Sequence, residues 1–395
     1  MSYLKIRADH IFTGTELLDK SYMLIVDGNG EVEEIIREET GGDYYPGIIC
    51  PGFINCHCHL ELSHLRGLIP ESTGLVDFVF KVVNERHLDE TIIKDAIKAA
   101  EIEMIQCGTV AVGDICNNLS TLTQKNNENL FYYNFIEASG WKPEVAQMRF
   151  ERARDLYDHF ERSIVESKRG KMKTSIVPHA PYSVSEELWE FILPFFENRT
   201  VTIHNQETAF EDEFFQDGSG DLMRMYEMMN IQTDFVPKSK SSLQHYYQKL
   251  SKAASIILVH NTFINQEDVD FIKMNKEARD KTFFCICTNA NLYIENALPP
   301  LPMLLKNNCQ MVLGTDSLAS NHQLSIPEEM KSIKKNFPEI NTTELLKWAT
   351  FNGAKALQLT DQLGSFEKGK NPGVVWINNV ENGNITQAST AKKII

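Results

Sequence analysis

The sequence predicts an α/β protein: a (β/α)8 TIM-like barrel with a small β-sandwich domain formed from both chain ends. Three observations predict it. Eight short, continuously apolar runs lie between residues 48 and 315, as expected of strands buried on both faces of a parallel sheet. Segments with helical apolar spacing separate them, and strand–helix alternation repeated this often points to a barrel. The two ends read instead as short, turn-rich strands. The competing fold, an open doubly wound sheet, is not supported by any Gly-x-Gly-x-x-Gly or phosphate-loop sequence. The expected boundaries are 1–48 and 361–395 for the small domain and 49–360 for the barrel.

In order, Tyr3-Leu-Lys-Ile-Arg, Tyr22-Met-Leu-Ile-Val and Glu33-Glu-Ile-Ile read as hairpin strands around an Asp27-Gly28-Asn29-Gly30 turn. The apolar runs are 48–57, 109–115, 131–138, 175–179, 201–204, 256–260, 283–287 and 311–315. Helical spacing is found over 91–106, 145–166, 185–196 (with Ser185 as N-cap) and 265–276. Residues 238–242, Lys-Ser-Lys-Ser-Ser, read as a surface loop. A turn-rich stretch from Gly364 to Gly373 then leads into Val374-Val-Trp-Ile377, which returns to pair with the N-terminal strands.

Composition narrows the function. The 395 residues are 42% apolar and 24% charged, ordinary for a globular chain and unlike disordered, collagen-like or coiled-coil proteins. No run approaches the roughly 18 apolar residues of a membrane span, and the first residues lack a signal peptide's apolar core. The expected location is the cytoplasm. With 54 acidic against 39 basic residues, the net charge is −15, which disfavours binding to nucleic-acid phosphates. Most of the eight cysteines lie inside apolar runs, the pattern of free thiols in a reducing compartment. In the Cys56-His57-Cys58-His59 run, cysteines and histidines face opposite sides of an extended chain, so one metal cannot easily take all four.

Position carries the site. The first run ends in His57-Cys-His59, whose imidazoles face the same way and can share one cation. The fourth ends at His179, followed by Ala-Pro-Tyr182-Ser183. The fifth ends His204-Asn-Gln-Glu207, the sixth at His260, and the eighth runs Gly314-Thr-Asp316-Ser317. In a barrel, that end of the strands is where active sites are built. Each residue alone has a plainer reading: a hydrogen-bonded structural histidine, a turn-forming aspartate, a solvated first-turn glutamate. Together, three histidines and one carboxylate make a borderline-hard site suited to Zn²⁺ or Fe²⁺.

These motifs resemble those of the amidohydrolase superfamily, in its deaminase and chlorohydrolase branch, and the likeness covers nearly the whole chain. Pro51-Gly-Phe-Ile-Asn-Cys-His57-Cys-His59 is similar to its first-strand metal motif, and Pro178-His179-Ala-Pro-Tyr182-Ser183 to its fourth-strand substrate motif. His204-x-x-Glu207, Cys287-Thr-Asn289 and Gly314-Thr-Asp316-Ser-Leu-Ala-Ser-Asn321 resemble the motifs of strands five, seven and eight. The resemblance implies one divalent ion on His57, His59, His204 and Asp316, with a water it activates. It implies that Asp316 takes the water's proton, that His260 orients the nucleophile, and that Glu207 protonates the ring nitrogen before ammonia leaves. Two-metal relatives often bridge their ions with a modified lysine ending strand four. Here that stretch is Ile176-Val-Pro-His179, so a single metal is expected. A homodimer is a family-level expectation.

Three functions compete: deamination of an aminated heterocycle, removal of chloride or an alkylamine from a triazine-like ring, and a non-enzymatic binding module. Intact ligands with Glu207 and His260 oppose the last. Glu207 favours deamination, because ammonia needs proton delivery and chloride does not. A guanine- or cytosine-type base is the alternative substrate to an adenine-type nucleoside. The stretch His59-Leu-Glu61-Leu-Ser63 resembles that of aminodeoxyfutalosine deaminases more than that of adenosine and S-adenosylhomocysteine deaminases. Such a substrate bears a carboxylate that Arg66 could meet in a bidentate pair; the plainer reading of Arg66 is a solvated loop charge. His179, Glu61 and Tyr182 are the other expected substrate contacts. Residues 62–76 could form a lid, and 207–220, rich in phenylalanine, either a pocket wall or helix packing.

Overall fold

The computed structural model describes residues 3–167, 170–231 and 238–395; Met1 and Ser2, the start of the expected small domain, lie outside them. Five strands come first: β1 (Tyr3–Phe12), β2 (Leu17–Asp19), β3 (Tyr22–Asp27), β4 (Val32–Arg37) and β5 (Asp43–Pro51). Eight follow in the middle: β6 (Phe53–Cys58), β7 (Thr109–Cys116), β8 (Phe131–Ala138), β9 (Met172–Pro178), β10 (Thr200–Asn205), β11 (Ser255–His260), β12 (Thr282–Ile286) and β13 (Gln310–Leu313). Two close the chain, β14 (Val374–Asn378) and β15 (Thr390–Lys393).

The outer strands form one seven-stranded sheet in the order β15-β14-β5-β1-β3-β4, with β2 on β1. The two chain ends therefore do pair: Ile377 lies opposite Ile48, and Val375 opposite Cys50. The apolar run 48–57 is not one strand, however. It breaks at Gly52, where the chain leaves the seven-stranded sheet and enters the parallel strands. Gly52 N–H donates to Pro372 O (3.0 Å), and a Cβ at this position would come within 2.2 Å of Val110 Cγ1. Only glycine admits so close an approach. Ile49, Cys50 and Pro51 thus belong to the small sheet, beyond the expected boundary at 48.

The middle strands form two four-stranded parallel sheets, β6-β7-β8-β9 and β10-β11-β12-β13, and nearly every residue in them is buried. The sheets meet at both edges. His204 N–H donates to His179 O (3.0 Å), and Thr315 and Asp316 N–H both donate to His57 O (3.0 and 3.1 Å). Amphipathic helices cover the outside. Glu90–Gln106 starts at an Asp89 cap on Thr91 N–H and buries Ile97, Ala100 and Met104. Ala146–Glu166 buries Ala153, Leu156 and Phe160. Ser185 caps Glu186–Ile192 through Leu188 N–H. The helical spacing continues to 196, but the last turn tightens to a 3₁₀ segment, Leu193–Phe195, because Pro194 has no N–H to donate.

Candidate metal centre and active-site cavity

Strand ends in the two parallel sheets bring the expected ligands together. Period-two geometry puts His57 and His59 on one side of β6, with their Nε2 atoms 3.2 Å apart. Cys56 and Cys58 face away into two separate apolar clusters. His204 Nε2 lies 3.4 Å from His59 Nε2. Asp316 Oδ1 lies 3.4 Å from His57 Nε2 and 3.3 Å from His59 Nε2. His260, Asn261 and Asp316 hold positive φ values of 71°, 56° and 56°, a local strain that the packing around a functional site sustains.

The electrostatics suit a cation. Burial lowers His57 to about 4, against its hydrogen bond to Asp316. Burial and the adjacent imidazoles hold His204 far below its ordinary value. Burial alone would raise the Asp316 carboxyl, but the His57 hydrogen bond and nearby His59 and His260 keep it well below the usual carboxylate range. Neutral imidazoles and an ionised carboxylate are the protonation states that metal binding requires. His204 Nδ1 is 2.8 Å from His179 O, so that nitrogen carries the proton and the Nε2 lone pair faces the centre. Lone pairs crowded this closely without shared protons repel one another unless a cation lies among them. The donor set therefore fits a divalent ion, and His260 joins His57 and His204 in a second possible grouping.

A cavity of about 480 Å³ lies over this centre and is lined by Glu61, His179, Tyr182, Glu207, His260 and Asp316, among others. Glu207 is buried, and burial raises its carboxyl to about 7 against the pull of His260. His260 Nε2 lies 3.6 Å from Glu207 Oε1, while Nδ1 is held by Asn291 Oδ1 at 2.7 Å. His179 Nδ1 is fixed by Ser183 Oγ (2.7 Å). Glu61 accepts from Asn117 N–H (3.0 Å), and burial raises it too, to about 7.

Arg66 is a correction. Its side chain is 46% exposed and ion-paired with Glu103, outside the cavity wall, because the chain turns outward at the end of the 3₁₀ turn Leu60–Leu65. Phe214 and Phe215 pack against Tyr226 and Leu65, so the phenylalanine-rich stretch packs helices and does not line the cavity. The cover comes mainly from the helix Leu75–Glu85, whose Leu75, Phe78, Val79 and Val82 face the cavity. The i, i+3, i+4, i+7 spacing of these four was legible and went unread. Arg86, Asn117, Glu137 and Trp141 also line the cavity and were missed. Glu137 ends β8 and Asn117 follows β7, so the strand-end position that revealed the histidines also marks them.

Behind His59 lies a buried ion pair that hydropathy did not suggest. Lys125 Nζ is 2.5 Å from Asp114 Oδ2, with both side chains fully buried, and also reaches Asn134 Oδ1 (2.9 Å). The other Asp114 oxygen accepts from Leu60 N–H (2.8 Å). This bond ties down the chain immediately after His59.

Parallel strands that present histidines, an aspartate and a half-protonated glutamate at one end define a metal-dependent hydrolase. The family model described as Amidohydrolase family matches residues 48–391, and the chain belongs to that family. It is 25% identical over 374 residues to the 5'-deoxyadenosine deaminase of Methanococcus vannielii, covering 90% of this chain and 80% of that one. It is 26% identical over 363 residues to the 5-methylthioadenosine/S-adenosylhomocysteine deaminase of Thermoanaerobacter pseudethanolicus, covering 88% and 77%. The solved structure of Helicobacter pylori aminofutalosine deaminase with methylthio-coformycin superposes with a TM-score of 0.78 at 21% identity, covering 96% of this chain and 93% of that one. At that identity the likeness shows a shared fold. Among the described residues, no helix is long and apolar enough to cross a membrane.

Proposed function

We propose that this chain is a hydrolytic deaminase of an adenine-type nucleoside, acting on the carbon–nitrogen bond of a cyclic amidine. The observation that carries the reading is Glu207, a buried carboxyl raised to about 7, beside His260 and facing the same cavity as the metal-type donor set. His57, His59, His204 and Asp316 would hold one Zn²⁺ or Fe²⁺ ion, which supplies Lewis acidity and brings water ionisation towards neutral pH. Asp316, held ionised, accepts the proton of the attacking water. Glu207, near half-protonated at neutral pH, donates a proton to the ring nitrogen next to the amine-bearing carbon. His260, held by Asn291, orients the nucleophile beside Glu207. The carbon–nitrogen bond then breaks, and ammonia leaves with the proton relayed to it. His179 and Tyr182 bind the substrate, and Glu61 shapes the cavity near His59. Named activities of the relatives support the adenine-type substrate, and aminodeoxyfutalosine is our candidate within that class. Removal of chloride from a triazine would leave Glu207 without a task.

The same reading takes the two parallel sheets, bonded at both edges, as one closed (β/α)8 barrel over 49–360. The chain ends, 1–48 with 361–395, then form the family's small β-sandwich domain. Ammonia release across a panel of aminopurine nucleosides and aminopyrimidines tests the activity. Release from adenine nucleosides is expected, and release only from guanine or cytosine would overturn the substrate class.

A further inference from the structure

The cavity over the catalytic centre continues into a polar recess of about 90 Å³, lined by Arg86, Asn117, Glu137, Ser139, Arg149 and Arg152 as well as two apolar side chains. Arg86, Asn117, Glu137 and Ser139 also line the main cavity, so the two spaces share a wall. Arg86 and Asn117 line a third space of about 340 Å³ as well, which Arg152 also borders. Arg86 stands at the end of the helix Leu75–Glu85, while Arg149 and Arg152 lie on the facing helix Ala146–Glu166.

None of these three arginines forms an ion pair among the described residues. Arg152 reaches only the carbonyl of Asn117 (3.3 Å), and Arg149 Nε is buried with no partner. This runs against composition. In a chain of net charge −15, a guanidinium easily finds a carboxylate, as Arg66, Arg154 and Arg224 do. Guanidinium donors left partly desolvated and unpaired destabilise the fold, and three at one recess are suited to a ligand that arrives with the opposite charge. Glu137 marks the junction: Asn117 Nδ2 holds its Oε2 (3.0 Å), and its Oε1 has no partner. That oxygen calls for a donor such as a sugar hydroxyl, which leaves the anion's place at the arginine side.

Resting on the deaminase reading above, we propose that Arg86, Arg149 and Arg152 form an anion subsite for the end of the substrate remote from the purine. The substrate is then an adenine nucleoside whose 5'-side arm carries a carboxylate. This would separate it from neutral 5'-deoxy and 5'-methylthio nucleosides. The test is a matched pair of probes, 5'-S-(2-carboxyethyl)-5'-thioadenosine and its methyl ester, assayed by ammonia release with the metal-loaded protein. The acid is expected to exceed the ester in kcat/KM by about tenfold or more, the worth of a charge-assisted pair. Arg86→Gln and Arg149→Gln are expected to reduce that preference, chiefly through KM for the acid. Turnover of both probes without preference, or variants that lower both equally, would overturn the subsite and leave the deaminase reading intact. Turnover of neither probe, nor of adenosine, would overturn the deaminase reading, and the subsite with it.

Discussion

At the residue scale the chemistry rests on Glu207. Its acid form is the useful one, and burial sets its pKa at about 7. Protons leave this carboxyl as pH rises through that value, so kcat/KM is expected to decline on the alkaline side of about 7. Glu207→Gln cannot deliver a proton and should lose at least about 100-fold in kcat. Glu61 also lies near 7, so a Glu61→Gln variant distinguishes the two. An alkaline limb that survives in Glu207→Gln and vanishes in Glu61→Gln would reassign the acid. These residues were legible because each closes a strand-like run, and burial at such a place calls for a reason. Arg66 misled because sequence adjacency to His59 says nothing of direction: the 3₁₀ turn Leu60–Leu65 intervenes and Arg66 points to Glu103.

At the element scale the least legible feature is the Asp114–Lys125 pair. Strand β7 reads as an apolar run with one acid, and the short helix Leu122–Lys125 hardly reads as a helix. Nothing in local pattern joins them, because the partners meet only when that helix packs on the sheet. Lys125→Met leaves Asp114 ionised and buried, and should destabilise the protein by about 3–5 kcal/mol, measured as the shift in urea unfolding. Adding Asp114→Asn should recover much of this loss, since the neutral amide still offers an oxygen to Leu60 N–H. Purely additive losses would count against a coupled pair. The helix Leu75–Glu85 makes a separate prediction. Phe78→Ala opens the cavity wall and should raise KM several-fold, about what one apolar contact contributes, with a smaller effect on kcat. An unchanged KM would show that substrate does not reach that wall.

At the scale of the whole molecule, the strand–helix rhythm was readable because parallel strands buried on both faces leave continuous apolar runs. The transition at Gly52 was not, since hydropathy is uninterrupted from Ile48 to His57 while the backbone changes sheets. Ligands drawn from β6, β10 and the end of β13 tie distant parts of the chain to one ion. Chelation should therefore lower the thermal midpoint, and restoring ion at about 100 times its Kd should return about 2.7 kcal/mol. Metal analysis is expected to find one tightly held equivalent per chain. Two equivalents, or a midpoint indifferent to chelator, would contradict the single-ion centre.

Because β1, β5, β14 and β15 lie in one sheet, that sheet also decides how the molecule bears mechanical load. Tension applied through β1 and β15 would pass across the small sheet and reach the catalytic strands only after those pairings tear. The metal-type centre thus sits outside the force path between the two ends, and partial peeling of β15 would leave its geometry unloaded.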